Sequence, residues 1–156
     1  MVKLSEAASL ALHTMVLLAG RPKLQVSARE IATELDVSEA HLSKVLQKLA
    51  RDGLVNSTRG PKGGFALSRR YADISLLDIY ESIEGPLREK HCFRTTSVCN
   101  GDGCIFGGLL EDVNHQVREY LAETKLPALA GKIGRRRNGH HEKNNQDRRR
   151  EVQRVR

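Results

Sequence analysis

The sequence has no tryptophan, only 4% aromatic residues, and three cysteines in 156 positions. With so few aromatics, any core must be built from aliphatic side chains. A chain of this length supports one such core, because single cores usually serve up to about 250 residues. Long apolar runs are missing as well. The stretch MVLLAG at 15–20 falls well short of the ~18 residues needed to cross a bilayer, and no cationic leader or cleavage signal opens the chain. The expectation is a soluble, cytoplasmic protein with no membrane association. An odd cysteine count argues against a closed disulfide framework and fits a reducing compartment, where clustered thiols point to metal or redox chemistry. Catalytic signatures are lacking too: there is no Ser/His/Asp spacing, P-loop or nucleotide fingerprint. Glu111 and Asp112 would be helix neighbours whose side chains point apart, so they do not form a working carboxylate pair. An enzyme is not expected.

What is present is charge, unevenly placed. The formal net charge is +7, yet residues 131–156 hold ten Lys/Arg and three Asp/Glu, so the first 130 residues balance at zero. The tail GKIGRRRNGHHEKNNQDRRREVQRVR has almost no apolar residues and is expected to be disordered on its own, either merely solvated or serving as a non-specific polyanion arm. His140 and His141 within it carry no assigned role.

Along the balanced body, Leu4, Ala8, Ala11, Leu12, Met15 and Ala19 follow a helical period that Gly20 and Pro22 end. Ser27 and Glu30 in SARE form a capping box ahead of a helix carrying Ile31, Ala32 and Leu35, which stops near Asp36. Ser38 is a second N-cap only two residues later. Behind it, Leu42, Val45, Leu46 and Leu49 share one stripe, and Gly53 is the stop. Two short helices joined by so tight a turn predict a helix-turn-helix. Leu54–Val55 and Phe65–Leu67 are strand candidates on either side of RGPKGG, which predicts a small hairpin, or wing. Ser75 and Asp78 in SLLD cap a further helix ending at Gly85–Pro86. A long helix over 105–125 carries Ile105, Leu109, Val113, Val117 and Leu121 at steps of four and is closed by Pro127. That stripe needs either a partner helix or its own chain to cover it.

At 3.6 residues per turn, the stripe of the second short helix points one way. Ala40, Lys44, Gln47 and Arg51 point the opposite way, with Ser43 and Lys48 on the flanks. A small residue, a glutamine and a lysine suit close approach to base edges, since Gln pairs donor and acceptor with adenine and Lys donates to guanine. Arg51, a turn later, is better placed for phosphate; at the helix N-terminus, Ser38 is a further DNA-contact candidate and His41 is either a phosphate contact or an incidental exposed histidine. Between 38 and 70 there are seven Lys/Arg and two Asp/Glu, a local +5 that would attract a phosphate backbone. A mixed-charge outer face is common on any amphipathic helix; the wing is what turns the balance. There Gly60, Gly63 and Gly64 would let backbone approach DNA, Pro61 stiffens the tip, and Arg59 and Lys62 could enter a minor groove.

The stretch ATELDVSEAHLSKVLQKLARDGLVNSTRGPKGGFALS resembles the winged helix of the IscR/NsrR family of bacterial transcription regulators, with RGPKGGFALS as its most specific part. MVKLSEAASLALHTMVLLA, DISLLDIYESIEGP and three cysteines ahead of a long helix are similar too, so the resemblance covers about residues 1–130 and omits the tail. It implies a mainly α fold with a small β-hairpin wing: a winged helix-turn-helix domain plus a long C-terminal dimerisation helix. The boundaries follow as a DNA-binding domain at 1–85, a cysteine-bearing loop at 86–104, a dimerisation helix and its end at 105–130, and the basic tail at 131–156. It implies a homodimer on double-stranded DNA with a palindromic operator, because a twofold axis spaces two recognition helices one DNA turn apart.

All three thiols, Cys92, Cys99 and Cys104, lie in HCFRTTSVCNGDGC with the spacing Cys-x6-Cys-x4-Cys. Soft thiolates suit an iron–sulfur cluster, and a zinc site with a histidine is the runner-up; thiol-only redox chemistry also stays open. The resemblance implies a cluster, two-iron or four-iron, held by these three residues, although each interval departs by one from the evenly spaced pattern. It also implies a fourth donor: a histidine at the third position past the last cysteine, here Gly107, or an aspartate early in the first helix, here Ser9. Neither donor is present, leaving His91, Asp102, Glu6 of a second copy, His115 or a small molecule. The expected mechanism is that cluster assembly or loss reorders 91–104, shifts the crossing helices and changes the spacing of the recognition helices. The alternative is a DNA-binding regulator with zinc or no cluster, controlled by a protein partner or by thiol oxidation.

Overall fold

A computed structural model of the chain describes residues 4–60, 63–87, 106 and 108–133. The expectations for Pro61, Lys62, the cysteine loop and the basic tail beyond 133 lie outside the described residues.

Helix α1 (Glu6–Ala19) is the centre of the core. Ser5 caps it, accepting from the Ala8 amide at 3.1 Å and donating to a Glu84 carboxylate oxygen. From Leu10 onward it is buried on most sides, at Leu10, Ala11, Met15 and Leu18 among others, because several elements pack around it. Helix α2 (Ala28–Leu35) opens with the expected capping box: the Ser27 hydroxyl accepts from the Glu30 amide at 3.2 Å, and the Glu30 carboxylate accepts from the Ser27 amide at 2.8 Å. It ends at Asp36, whose φ of 55° is left-handed, a conformation that short polar side chains tolerate. Three residues on, α3 (Glu39–Arg51) begins. Ser38 holds the N-cap position through its carbonyl, which accepts from Leu42, but its hydroxyl makes no capping bond, unlike the expectation. Leu42, Leu46 and Leu49 are fully buried and Val45 nearly so, and together they anchor α3 to the core.

The hairpin pairs β1 (Val55–Thr58) with β2 (Gly64–Leu67) antiparallel, in a register running from Val55 opposite Leu67 to Thr58 opposite Gly64. The strands are longer than the sequence pattern indicated, because the polar residues Asn56, Ser57 and Thr58 pair through backbone alone. A third segment joins them: Val26 and Phe65 exchange both backbone hydrogen bonds, at 2.8 and 2.9 Å. Helix α4 (Leu76–Glu84) carries the second capping box, between Ser75 and Asp78, and ends at Gly85. Helix α5 (Leu109–Glu123) leads into a short 3-10 turn at Leu126–Leu129. The fully buried Leu126 there returns the chain to the core, its amide donating to the Ile74 carbonyl at 2.9 Å. The architecture is therefore mainly helical with a two-stranded wing. Among the described residues no helix is long and apolar enough to cross a membrane.

One expectation for α5 changes. The steps-of-four residues do not share one buried face: Leu110 and Asn114 are the buried positions, while Leu109 and Val113 are exposed. Four residues at 3.6 per turn overshoot a full turn by about 40°. The stripe therefore spirals from the outer side at Leu109 to the inner side at Leu121, which packs on Ala8, Leu77, Tyr80 and Leu87.

Candidate nucleic-acid interface

The polar face of α3 stands opposite its buried stripe. Ala40, Lys44, Gln47 and Arg51 are exposed on it, and Ser38 is exposed just ahead of it. Ser43 and His41 are half-buried on its flanks. His41 leans toward α1, with Nδ1 3.9 Å from a Glu6 carboxylate oxygen. Lys48 is exposed but already engaged: its ammonium donates to the Ile83 carbonyl at 3.3 Å, at the end of α4. The sequence placed Lys48 on a flank facing DNA; the fold gives it a partner within the chain.

Arg59 and Gly60 are exposed at the wing, where Gly60 has a φ of 114° that ordinary residues avoid. The other two wing glycines have reasons internal to the chain. A Cβ at Gly63 would lie 2.2 Å from the Thr58 carbonyl oxygen, and one at Gly64 would lie 2.7 Å from the Val26 carbonyl oxygen. Glycine is needed there for the hairpin to close and to lie against Val26. Sequence reasoning did not single out Gln25, whose amide donates to the Thr58 hydroxyl at 2.5 Å and fastens the wing beside Arg59. No periodic signal links two exposed polar residues so far apart in the chain.

Elsewhere, Arg21 and Glu34 form a two-pronged ion pair at 2.7 and 3.0 Å, which holds the guanidinium pKa above its ordinary value. The Ser27 hydroxyl, and then the Ser27 amide, hold the Glu30 carboxyl below its ordinary value. A further imidazole that sequence reasoning passed over, His13, is exposed on the α1 face that carries Glu6 and Ser9. Its Nδ1–H donates to the Ser9 carbonyl at 2.7 Å. Cys92, Cys99 and Cys104 lie outside the described residues. Among the described residues, no group of three or more His, Cys, Asp or Glu is arranged to hold a metal ion.

Residues 4–132 match the Rrf2 family, described as an iron-dependent transcriptional regulator. The chain is 31% identical to an HTH-type transcriptional regulator of Haemophilus influenzae, over 77% of this chain and 80% of that protein. It is 34% identical to the HTH-type regulator YwgB of Bacillus subtilis, over 85% of this chain and 87% of its relative. Among solved structures it is similar to CymR, the global cysteine regulator of B. subtilis, with a TM-score of 0.72 and 28% identity over 85% of this chain and 99% of CymR. It is also similar to T. potens IscR, with a TM-score of 0.64 and 26% identity over 82% of this chain and 86% of the other.

Proposed function

Because the chain belongs to the Rrf2 family of transcriptional regulators, we propose that it reads DNA through the exposed face of α3 and the wing. Ala40, Lys44 and Gln47 meet base edges in the major groove, with Ser38, His41 and Ser43 alongside. Arg51 and the wing residues Arg59, Gly60, Pro61, Lys62, Gly63 and Gly64 follow the phosphate backbone and the minor groove. The observation that carries this reading is the division of α3: four apolar residues are locked in the core, and a small, amide and cationic set is exposed directly opposite. Transcriptional regulation in this family is a DNA-binding role and not a catalytic one.

Two copies act together on a palindromic operator. The outer side of α5 supports this, with Leu109 55%, Val113 39% and Tyr120 63% exposed in one copy. Apolar side chains recurring along one side of a helix gain by burial against a second helix.

Cys92, Cys99 and Cys104 bind an iron–sulfur cluster, two-iron or four-iron, with zinc as the alternative occupant. The donor chemistry fits: three thiolates within thirteen residues are soft ligands suited to iron–sulfur cores. A cluster held there would supply a group sensitive to oxidants or nitric oxide. Among the fourth-donor candidates, Glu6 and His115 are exposed and paired only loosely, with His41 and Glu119 respectively, each at 3.9 Å. Either can exchange its neighbour for a metal. Iron, sulfide and a visible spectrum on anaerobically purified protein test the cluster. Operator binding by that protein and by Cys92→Ala tests the coupling, and equal affinity on every DNA would refute it.

The second reading has no cluster, and control comes from a protein partner or from thiol oxidation. The similarity to a cysteine regulator favours it, as does the absence of a donor at Gly107 and Ser9. It expects colourless protein and full DNA binding when all three cysteines are serine.

A further inference from the structure

The last turn of α4 is tied to three different elements through consecutive residues. Glu81 faces α5: its carboxylate accepts from Arg118 at 3.4 Å and from the Leu87 amide at 2.9 Å. Ser82 faces the end of α3, donating to the Asp52 carboxylate at 2.6 Å. The Ile83 carbonyl accepts from Lys48 of α3 at 3.3 Å, and Glu84 accepts from the Ser5 hydroxyl that caps α1. Arg118 also donates to the Leu87 carbonyl at 3.0 Å, so α5 grips the chain just where it leaves α4. Consecutive helical residues point about 100° apart, so one turn can reach neighbours on nearly every side.

We infer that this turn is a positioning element that transmits the placement of α5 to the recognition helix. Arg118 and Ser82 are its input and output. Apart from the contacts of Leu87, the bonds are made by side chains at or near the surface, where each is weak and water can replace it. Such bonds contribute little to holding the core together. They suit a joint that must be remade when α5 shifts, because Arg118 pulls on Glu81 while Ser82 and the Ile83 carbonyl hold the α3 end through Asp52 and Lys48. Lys48 is the moving part at the output: an ammonium released from the α4 carbonyl becomes free for a DNA phosphate. This inference rests on the reading of α3 as the recognition helix, and it names how that helix is regulated.

The test uses the full-length protein and a duplex selected from a random-sequence pool by the wild-type chain, with binding followed by fluorescence anisotropy. Arg118→Ala, Ser82→Ala and the double variant complete a cycle, with Arg118→Lys as the conservative variant. The expected result is that Arg118→Ala changes affinity threefold or more and Arg118→Lys restores part of it. In the Ser82→Ala background, the Arg118→Ala effect falls below 1.5-fold. Sites that act independently give multiplying effects, and multiplying effects here overturn the inference while leaving DNA reading intact. Failure of the wild type to select any duplex overturns both. If Arg118→Ala does not fold, Arg118→Gln takes its place in the cycle under the same criterion.

Discussion

Gly63→Ala gives a direct test of how the wing works. The Gly63 amide donates to the Gly60 carbonyl at 2.8 Å, and the added methyl would lie 2.2 Å from the Thr58 oxygen and 2.9 Å from the Gly60 oxygen. Both obstacles are backbone, so no side chain can swing away and the tip must open. Opening forfeits the 63-to-60 bond and the Thr58–Gly64 end of the ladder. At roughly 1 kcal/mol per hydrogen bond the loss is about 2 kcal/mol, within a total stability of about 5–15 kcal/mol, so the protein stays folded. On the proposed reading, Arg59 would then lose its fixed place beside DNA, and the salt dependence of binding should fall by about one unit for each phosphate that the wing releases. Gly53→Ala is the control: φ there is +74° with open space around it, so it costs about 1–2 kcal/mol of backbone strain without touching the wing. Urea unfolding, together with anisotropy titrations at several salt concentrations, reads both quantities. An unchanged slope for Gly63→Ala, or an equal binding loss for Gly53→Ala, would show that the wing does not touch DNA.

Lys44→Ala or Gln47→Ala should cost about 1–3 kcal/mol on the selected duplex and relax sequence preference, whereas Arg51→Ala should weaken every duplex alike; competition titrations against random DNA separate the two patterns. Leu46→Ala, at a fully buried position, should lower stability by about 2–5 kcal/mol in urea unfolding, and a loss below 1 kcal/mol would mean that α3 is not anchored as described. Ser27→Ala should destabilise the protein by about 1 kcal/mol near neutrality. Since Ser27 holds the Glu30 pKa down, the stability linked to that carboxylate is complete above the ordinary glutamate value and is lost as pH falls through the folded value. The gap between wild type and Ser27→Ala should therefore shrink below about pH 4 in acid melts. Val113→Asp, on the outer side of α5, should shift a dimer to a monomer by light scattering; an unchanged mass would move the interface elsewhere.

The features legible in the sequence were those whose partners lie within a few residues. Both capping boxes, the tight turn at Asp36 and the apolar stripe of α3 depend on hydrogen bonds or periodicities that span three or four positions. The wing was legible from its glycines, but the reason for two of them was not, because the clashes that demand glycine at 63 and 64 come from Thr58 and Val26. Lys48 looked like a free flank cation, since its acceptor lies 35 residues away. The bond from Ser82 spans 30 residues and that from Arg118 spans 37, distances over which no local pattern is informative. The sides of α5 were misjudged for a geometric reason, because a four-residue repeat does not close on itself around a helix.

The paired backbone bonds between Val26 and Phe65 lash the hairpin to the connector between α1 and α2. Because β1 also packs on α3, each copy of the proposed dimer would present its groove-entering helix and its hairpin together, as one jaw. In that arrangement the gap between the two jaws would be what an incoming signal adjusts. Such a grip would tell apart half-sites by their separation and would fail abruptly, not gradually, when a base pair is inserted between them.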